Sequence, residues 1–126
     1  MDISANDLIF IVDDDTFMQS MVSNHLKARG LTNIKKFSTG EDCIAALALQ
    51  PRLVILDQNL STQPGALNGF DIFKLIRQTN PKTIIVMMSG QEDGQLVLQM
   101  MKQGIRHYVI KDSDMLPELE NVMSEF

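Results

Sequence analysis

The chain has 126 residues, 44% of them apolar and 21% charged, proportions that suit one small globular domain with a core of its own. Its net charge of −5 leaves no basic surface for nonspecific nucleic-acid binding, and no apolar stretch approaches the roughly 18 residues of a membrane span. The first residues, Met1 to Asp7, lack the basic-then-apolar pattern of a secretory leader, and Cys43 is alone, which excludes an internal disulfide.

In chain order, Ile9–Val12 is a short continuous apolar run that stops on Asp13, Asp14 and Asp15. Phe17, Met18, Met21, Val22 and Leu26 then recur at helical spacing, with an acidic residue or Thr16 as cap and Gly30 just past the end. A weaker strand at Ile34–Phe37 precedes a helix opened by Ser38-Thr39-Gly40-Glu41, carried through Ala45, Leu47 and Ala48 and closed by Pro51. Leu53–Leu56 runs into Asp57, and a polar loop leads to a helix around Phe70–Arg77. Ile84–Met88 runs into Ser89, a helix around Gln95–Lys102 ends at Gly104, and Tyr108–Ile110 runs into Lys111 before a last helix to Phe126. Continuous apolar runs of this length read as strands buried on both faces. Five strand–helix units in strict alternation predict a single α/β domain over 1–126, a three-layer sandwich around a parallel five-stranded sheet.

Ligands of open parallel sheets sit outside the carboxyl ends of the strands, so the residues that end these runs converge on one edge. Asp13, Asp14 and Asp57 would repel one another unless a cation neutralised them. All-oxygen donors of this kind suit a hard divalent metal, Mg²⁺ with Mn²⁺ as a substitute. An ionised Asp57 can act as a nucleophile toward a phosphoryl donor. That transfer needs charge stabilisation on the phosphoryl oxygens, which the metal, Lys111 and the Ser89 hydroxyl can supply.

These motifs, in this order at the strand ends, resemble those of the receiver domain of two-component response regulators, and the resemblance runs from Leu8 to about Met123. It implies a flavodoxin-like fold with strand order 2-1-3-4-5. It implies Asp57 as phosphoacceptor and Asp14 as a direct Mg²⁺ ligand, with Asp13 binding directly or through water and Asn59 offering its backbone carbonyl. Ser89 would hydrogen-bond the phosphoryl group, Lys111 would pair with it, and Tyr108 would change rotamer as Ser89 moves. The implied partner is a sensor histidine kinase or phosphotransfer protein. The implied output is a population shift at the surface of the fourth helix, fifth strand and fifth helix. Wide apolar coverage of the fourth helix by Leu96, Val97, Leu98, Met100 and Met101 marks the same surface as a candidate output or homodimer face.

Three positions depart from the family pattern. Gly69 follows Asp57 by twelve positions, later than the family's glycine, so 60–68 reads as a tolerated surface insertion. Lys111 precedes Asp112 in place of the usual proline, and because a non-proline cis bond costs about 2.5–4 kcal/mol, a trans bond is expected. Gln91 and Asn59 occupy the positions that tune phosphoryl lifetime, and two amides predict an intermediate one.

Rival readings are weaker. Asp13-Asp14-Asp15-Thr16 invites comparison with aspartyl-nucleophile phosphatases, but the threonine falls one position early. A flavin or nucleotide module needs a phosphate cradle where three aspartates stand. A degenerate receiver that binds partners without phosphorylation remains the principal alternative. His25 and His107 read as surface residues without ligand spacing, and cytoplasmic localisation is expected.

Overall fold

The structure is a computed structural model that describes residues 3–60, 67–90 and 94–126. Five strands alternate with five helices: β1 (Ile9–Val12), α1 (Thr16–Ala28), β2 (Ile34–Phe37), α2 (Gly40–Ala45), β3 (Leu53–Asp57), α3 (Gly69–Thr79), β4 (Ile84–Ser89), α4 (Gly94–Lys102), β5 (His107–Ile110) and α5 (Met115–Met123). All neighbouring strands are parallel, in the order β2-β1-β3-β4-β5. This is the flavodoxin-like order that the receiver-domain resemblance implies.

Because side chains alternate across a strand, each central strand feeds two layers. Ile9, Ile11, Leu53, Ile55, Val86, Met88 and Val109 share one cluster with Val22 and Leu26 of α1 and Met115, Leu119 and Met123 of α5. Phe10, Val12, Val54, Leu56, Ile85 and Met87 share the other with Cys43 of α2, Ile72, Phe73 and Ile76 of α3, and Met100 of α4. Alternation runs to the strand ends and, at Asp13 and Lys111, one residue past them. Asp13, Asp57 and Lys111 fall on the parity of the α1 and α5 layer, whereas Ser89 and Tyr108 fall on the other, and Tyr108 packs against the second cluster. Cys43 is fully buried there, and burial pushes its thiol pKa up to about 12.

Several local expectations need correction. Phe17 is not part of the buried stripe of α1 but stands 68% exposed. Asp15 is the N-cap, its carboxylate accepting from the amides of Phe17 and Met18, and this phase turns Gln19, Val22, Ser23 and Leu26 inward. The second helix is shorter than its pattern suggested; it ends at Ala45, and a 3₁₀ turn over Leu47–Leu49 closes on Gln50 in the left-handed region. On α4, Met100 is buried while Leu98 and Met101 are exposed, so the outward apolar patch excludes Met100. Gly104 ends this helix at φ +87°, where a side chain would strain the backbone, and Ile105 donates back to the Met100 carbonyl at 3.0 Å. Among the described residues no helix is long and apolar enough to cross a membrane.

Candidate functional site

Sheet hydrogen bonds continue to the strand ends, where Asp57 and Ser89 lie, and one residue past them at Asp13 and Lys111. The amide of Asp13 donates to Phe37 at 3.0 Å, that of Gln58 to Met88 at 2.8 Å, and that of Lys111 to Ser89 at 2.8 Å. The backbone is thus still held by sheet hydrogen bonds where the polar side chains begin. Asp13, Asp57 and Ser89 are buried at this edge, while Asp14 is exposed.

Carboxylate oxygens of Asp13, Asp14 and Asp57 lie within 4.8 Å of one another. The Lys111 ammonium bridges two of them, at 2.8 Å from Asp13 Oδ2 and 3.2 Å from Asp57 Oδ1. The Asn59 amide donates to Asp57 Oδ1 at 3.1 Å. One ammonium against three carboxylates leaves an excess of negative charge. Burial, followed by the Asp13 charge, raises the Asp57 pKa above the usual carboxylate value; Lys111 and the Asn59 amide oppose that rise. For Lys111 burial favours the neutral amine, but the hydrogen bond it donates to Asp13 and the charges of Asp57 and Asp13 together raise its pKa. Lys111 therefore stays charged at neutral pH. A hard divalent cation fits this donor set, because its positive charge relieves the crowding that Lys111 alone leaves.

Gln19 was not anticipated from the sequence as part of this framework. Its buried amide nitrogen donates to the carbonyl of Asp13 at 2.6 Å, to that of Phe37 at 3.2 Å and to Ser38 Oγ at 3.2 Å. One side chain from α1 thus ties together the loops after β1 and β2. A polar residue four positions after the cap, on the inward phase of the helix, is the signal that would have found it.

Gly69 fixes the backbone on the other side of Asp57. An added Cβ there would lie 2.5 Å from Gln58 Cα and 2.6 Å from the Asp57 carbonyl oxygen, both backbone atoms that cannot yield cheaply. The Gly69 amide also donates to the Gln58 carbonyl at 3.1 Å. The chain that departs after Asp57 therefore returns to rest on it, and Asn68 with Asp71 forms a capping box that starts α3 at that point.

Each predicted site residue can now be placed. Asp13, Asp14, Asp57 and Lys111 come together, and Ser89 is held at the same edge by its ladder bond to Lys111. Asn59 meets Asp57 through its amide. Tyr108 is half-buried on the parity of Ser89. Among the described residues no peptide bond is cis, so the Lys111–Asp112 bond is trans as expected. Gln91 and positions 61–66 of the extended loop lie outside the described residues.

Known proteins share this fold. The family described as response regulator receiver domain matches residues 9–122. The chain is 26% identical over 104 residues to the chemotaxis protein CheY of Thermotoga maritima, covering 82% of this chain and 83% of that protein. It is 28% identical over 107 residues to the DNA-binding transcriptional regulator NtrC of Salmonella typhimurium, covering 85% of this chain but only 22% of that protein. Among solved structures, the response regulator DrrB of Thermotoga maritima superposes with a TM-score of 0.78 at 29% identity, covering 94% of this chain and 51% of that one. Vibrio cholerae CheY4 superposes at 0.79 with 19% identity, covering 94% of this chain and 97% of that one, which supports the fold alone.

Proposed function

We propose that this chain, which belongs to the response regulator receiver domain family, accepts a phosphoryl group on an Oδ atom of Asp57 from a sensor histidine kinase or phosphotransfer protein. Receiver domains are signalling modules, and this one would act in the cytoplasm as the phosphorylated switch of a two-component system. The observation that carries the reading is the Lys111 ammonium bridging Asp13 and Asp57 inside a cluster of three carboxylates.

In this reading an Asp57 oxygen attacks phosphorus, the new P–O bond forms and the bond to the donor breaks. Burial raises the free energy of the ionised carboxylate, so the nucleophile is activated by being poorly solvated. Lys111 is already within reach of Asp57 and can follow the added charge onto the phosphoryl oxygens. Asp13, Asp14 and the backbone carbonyl of Asn59, together with Asp57, would hold Mg²⁺ or Mn²⁺, which supplies charge neutralisation on the transferred group when bound. The Ser89 hydroxyl would donate a hydrogen bond to the phosphoryl group on Asp57 and shift with it. Tyr108, on the same parity, would carry that shift to α4, β5 and α5. The exposed Leu98 and Met101 give that surface an apolar contact for an output partner or a second copy of the chain.

Intact mass after incubation with a small phosphodonor tests the assignment. One phosphoryl adduct is expected on wild type with Mg²⁺, none with chelator and none on Asp57→Asn. Undiminished uptake by the variant would remove Asp57 as acceptor. No uptake by folded, Mg²⁺-binding wild type would leave the phosphorylation-independent binding module as the better reading.

A further inference from the structure

The end of the sheet opposite the acidic cluster carries an unassigned groove. It is bounded by the last turns of α3, the α3–β4 turn, the start of β4 and the α4–β5 turn, and its volume is about 480 Å³. Phe73, Ile84 and Ile85 contribute apolar surface, and Arg77, Lys82, Arg106 and His107 contribute cationic or titratable groups. Its lining contains no carboxylate, in a chain whose net charge is −5. Along β4 it lies about 16 Å from the acidic edge, five steps of strand rise away.

Arg77, although exposed, is held in a fixed orientation where it lines this groove. Its Nη1 donates to the carbonyls of Pro81 at 3.0 Å and Thr83 at 3.1 Å, and its guanidinium lies 5.4 Å from the centroid of the Phe73 ring. The side chain is therefore oriented before any ligand arrives. Arg106 is exposed, and its positive charge acts on Arg77, lowering the Arg77 pKa after the larger effect of burial. His107 is lowered first by burial and then by Arg106 and Arg77, with Glu125 acting in the opposite sense. Two guanidinium groups, a nearby ammonium and a half-buried imidazole thus crowd one concavity without a lining anion to offset them.

We propose that this groove binds a small phosphate ester of nucleotide size. Paired guanidinium groups suit phosphate oxygens, the partly apolar floor suits an attached organic group, and the volume falls within the small-molecule range of about 300–1,000 Å³. An acidic protein segment would demand an extended strip of cations, whereas these converge on one concavity. The proposal is independent of phosphoryl transfer at Asp57.

ADP in chelator, where the acidic edge repels anions, is the first probe. Saturable amide shifts are expected at Thr83–Ile85 and Gly104–His107 but not at Asp13, Asp57 or Lys111. Arg106→Glu and Lys82→Glu, both at exposed positions, should each weaken binding by about tenfold or more, since each replaces a ligand-facing cation by an anion. Lys36→Glu makes the same charge change on exposed β2 and should alter affinity less than about twofold at physiological salt. Inorganic pyrophosphate should shift the same amides at higher concentration. No saturation, equal weakening by Lys36→Glu, tighter binding of pyrophosphate than of ADP, or tighter binding of an octaglutamate peptide would each overturn the proposal.

Discussion

At the carboxyl end of the sheet, Asp13 and Asp57 are buried and bridged by Lys111, while at the amino end Arg106 and Lys82 stand in water around the better-anchored Arg77. Both ends concentrate like charges, but they do so at different dielectric cost. Water screens the exposed cations, so their mutual repulsion scarcely burdens folding. The carboxylates have traded that screening for one ammonium and a few amide dipoles, and the shortfall appears as the raised Asp57 pKa. Burial thus makes the like charges at one end costly, whereas exposure makes those at the other end cheap.

The contrast is broken most severely at Lys111. Lys111→Met leaves Asp13 and Asp57 without their shared cation and should cost about 3 kcal/mol at neutral pH, read by urea unfolding in chelator. A cost near zero would mean that the ammonium does not neutralise this edge. Gly69→Ala should follow at about 2 kcal/mol, because its Cβ meets the backbone of Asp57 and Gln58, and in the proposed function it should also slow phosphoryl uptake by displacing Asp57. The two effects are separable by comparing Tm with the initial uptake rate.

Asp57→Asn should act in the opposite direction and stabilise the metal-free protein. The folded carboxyl pKa lies above its unfolded value, so its favourable contribution is fully present below the unfolded value. That contribution is lost as pH rises through the folded value. The Tm advantage of the variant should therefore widen across that interval and level off above it. An advantage that shrinks with rising pH would contradict the raised pKa. At the opposite end, Arg77→Met removes two hydrogen bonds to carbonyls of the α3–β4 turn and should cost about 1 kcal/mol. Arg106→Glu should change stability by less than about 0.5 kcal/mol, as expected for an exposed site.

Asp13, Asp57, Ser89 and Lys111 were legible because each ends an uninterrupted apolar run, a pattern that fixes both the strand and its exit. The helices were less legible in phase than in existence. Phe17 looked like a core residue because apolar spacing alone cannot locate the helix start; Asp15 as N-cap rotates it outward. The same phase buries Gln19 and Ser23, which an apolar stripe cannot reveal. Met100 and Met101 are adjacent and chemically identical, so only the packed helix decides that the first is core and the second surface. The return of the chain onto Asp57 depends on Gly69 approaching the Gln58 backbone, a contact between positions eleven apart that composition does not encode.

Cys43, the only cysteine in the chain, is sealed among Phe10, Val54 and Ile72 with its thiol held protonated far beyond neutral pH. A thiol in that state cannot be alkylated until the layer under α2 and α3 parts from the sheet. Its labelling rate consequently makes the protein its own clock for opening, one chemical event per molecule and at a native residue rather than an engineered one. If Asp57 takes up a phosphoryl group as proposed, the two populations would each keep time on that clock, and the interval between them would measure how far the added charge is felt on the remote side of the sheet.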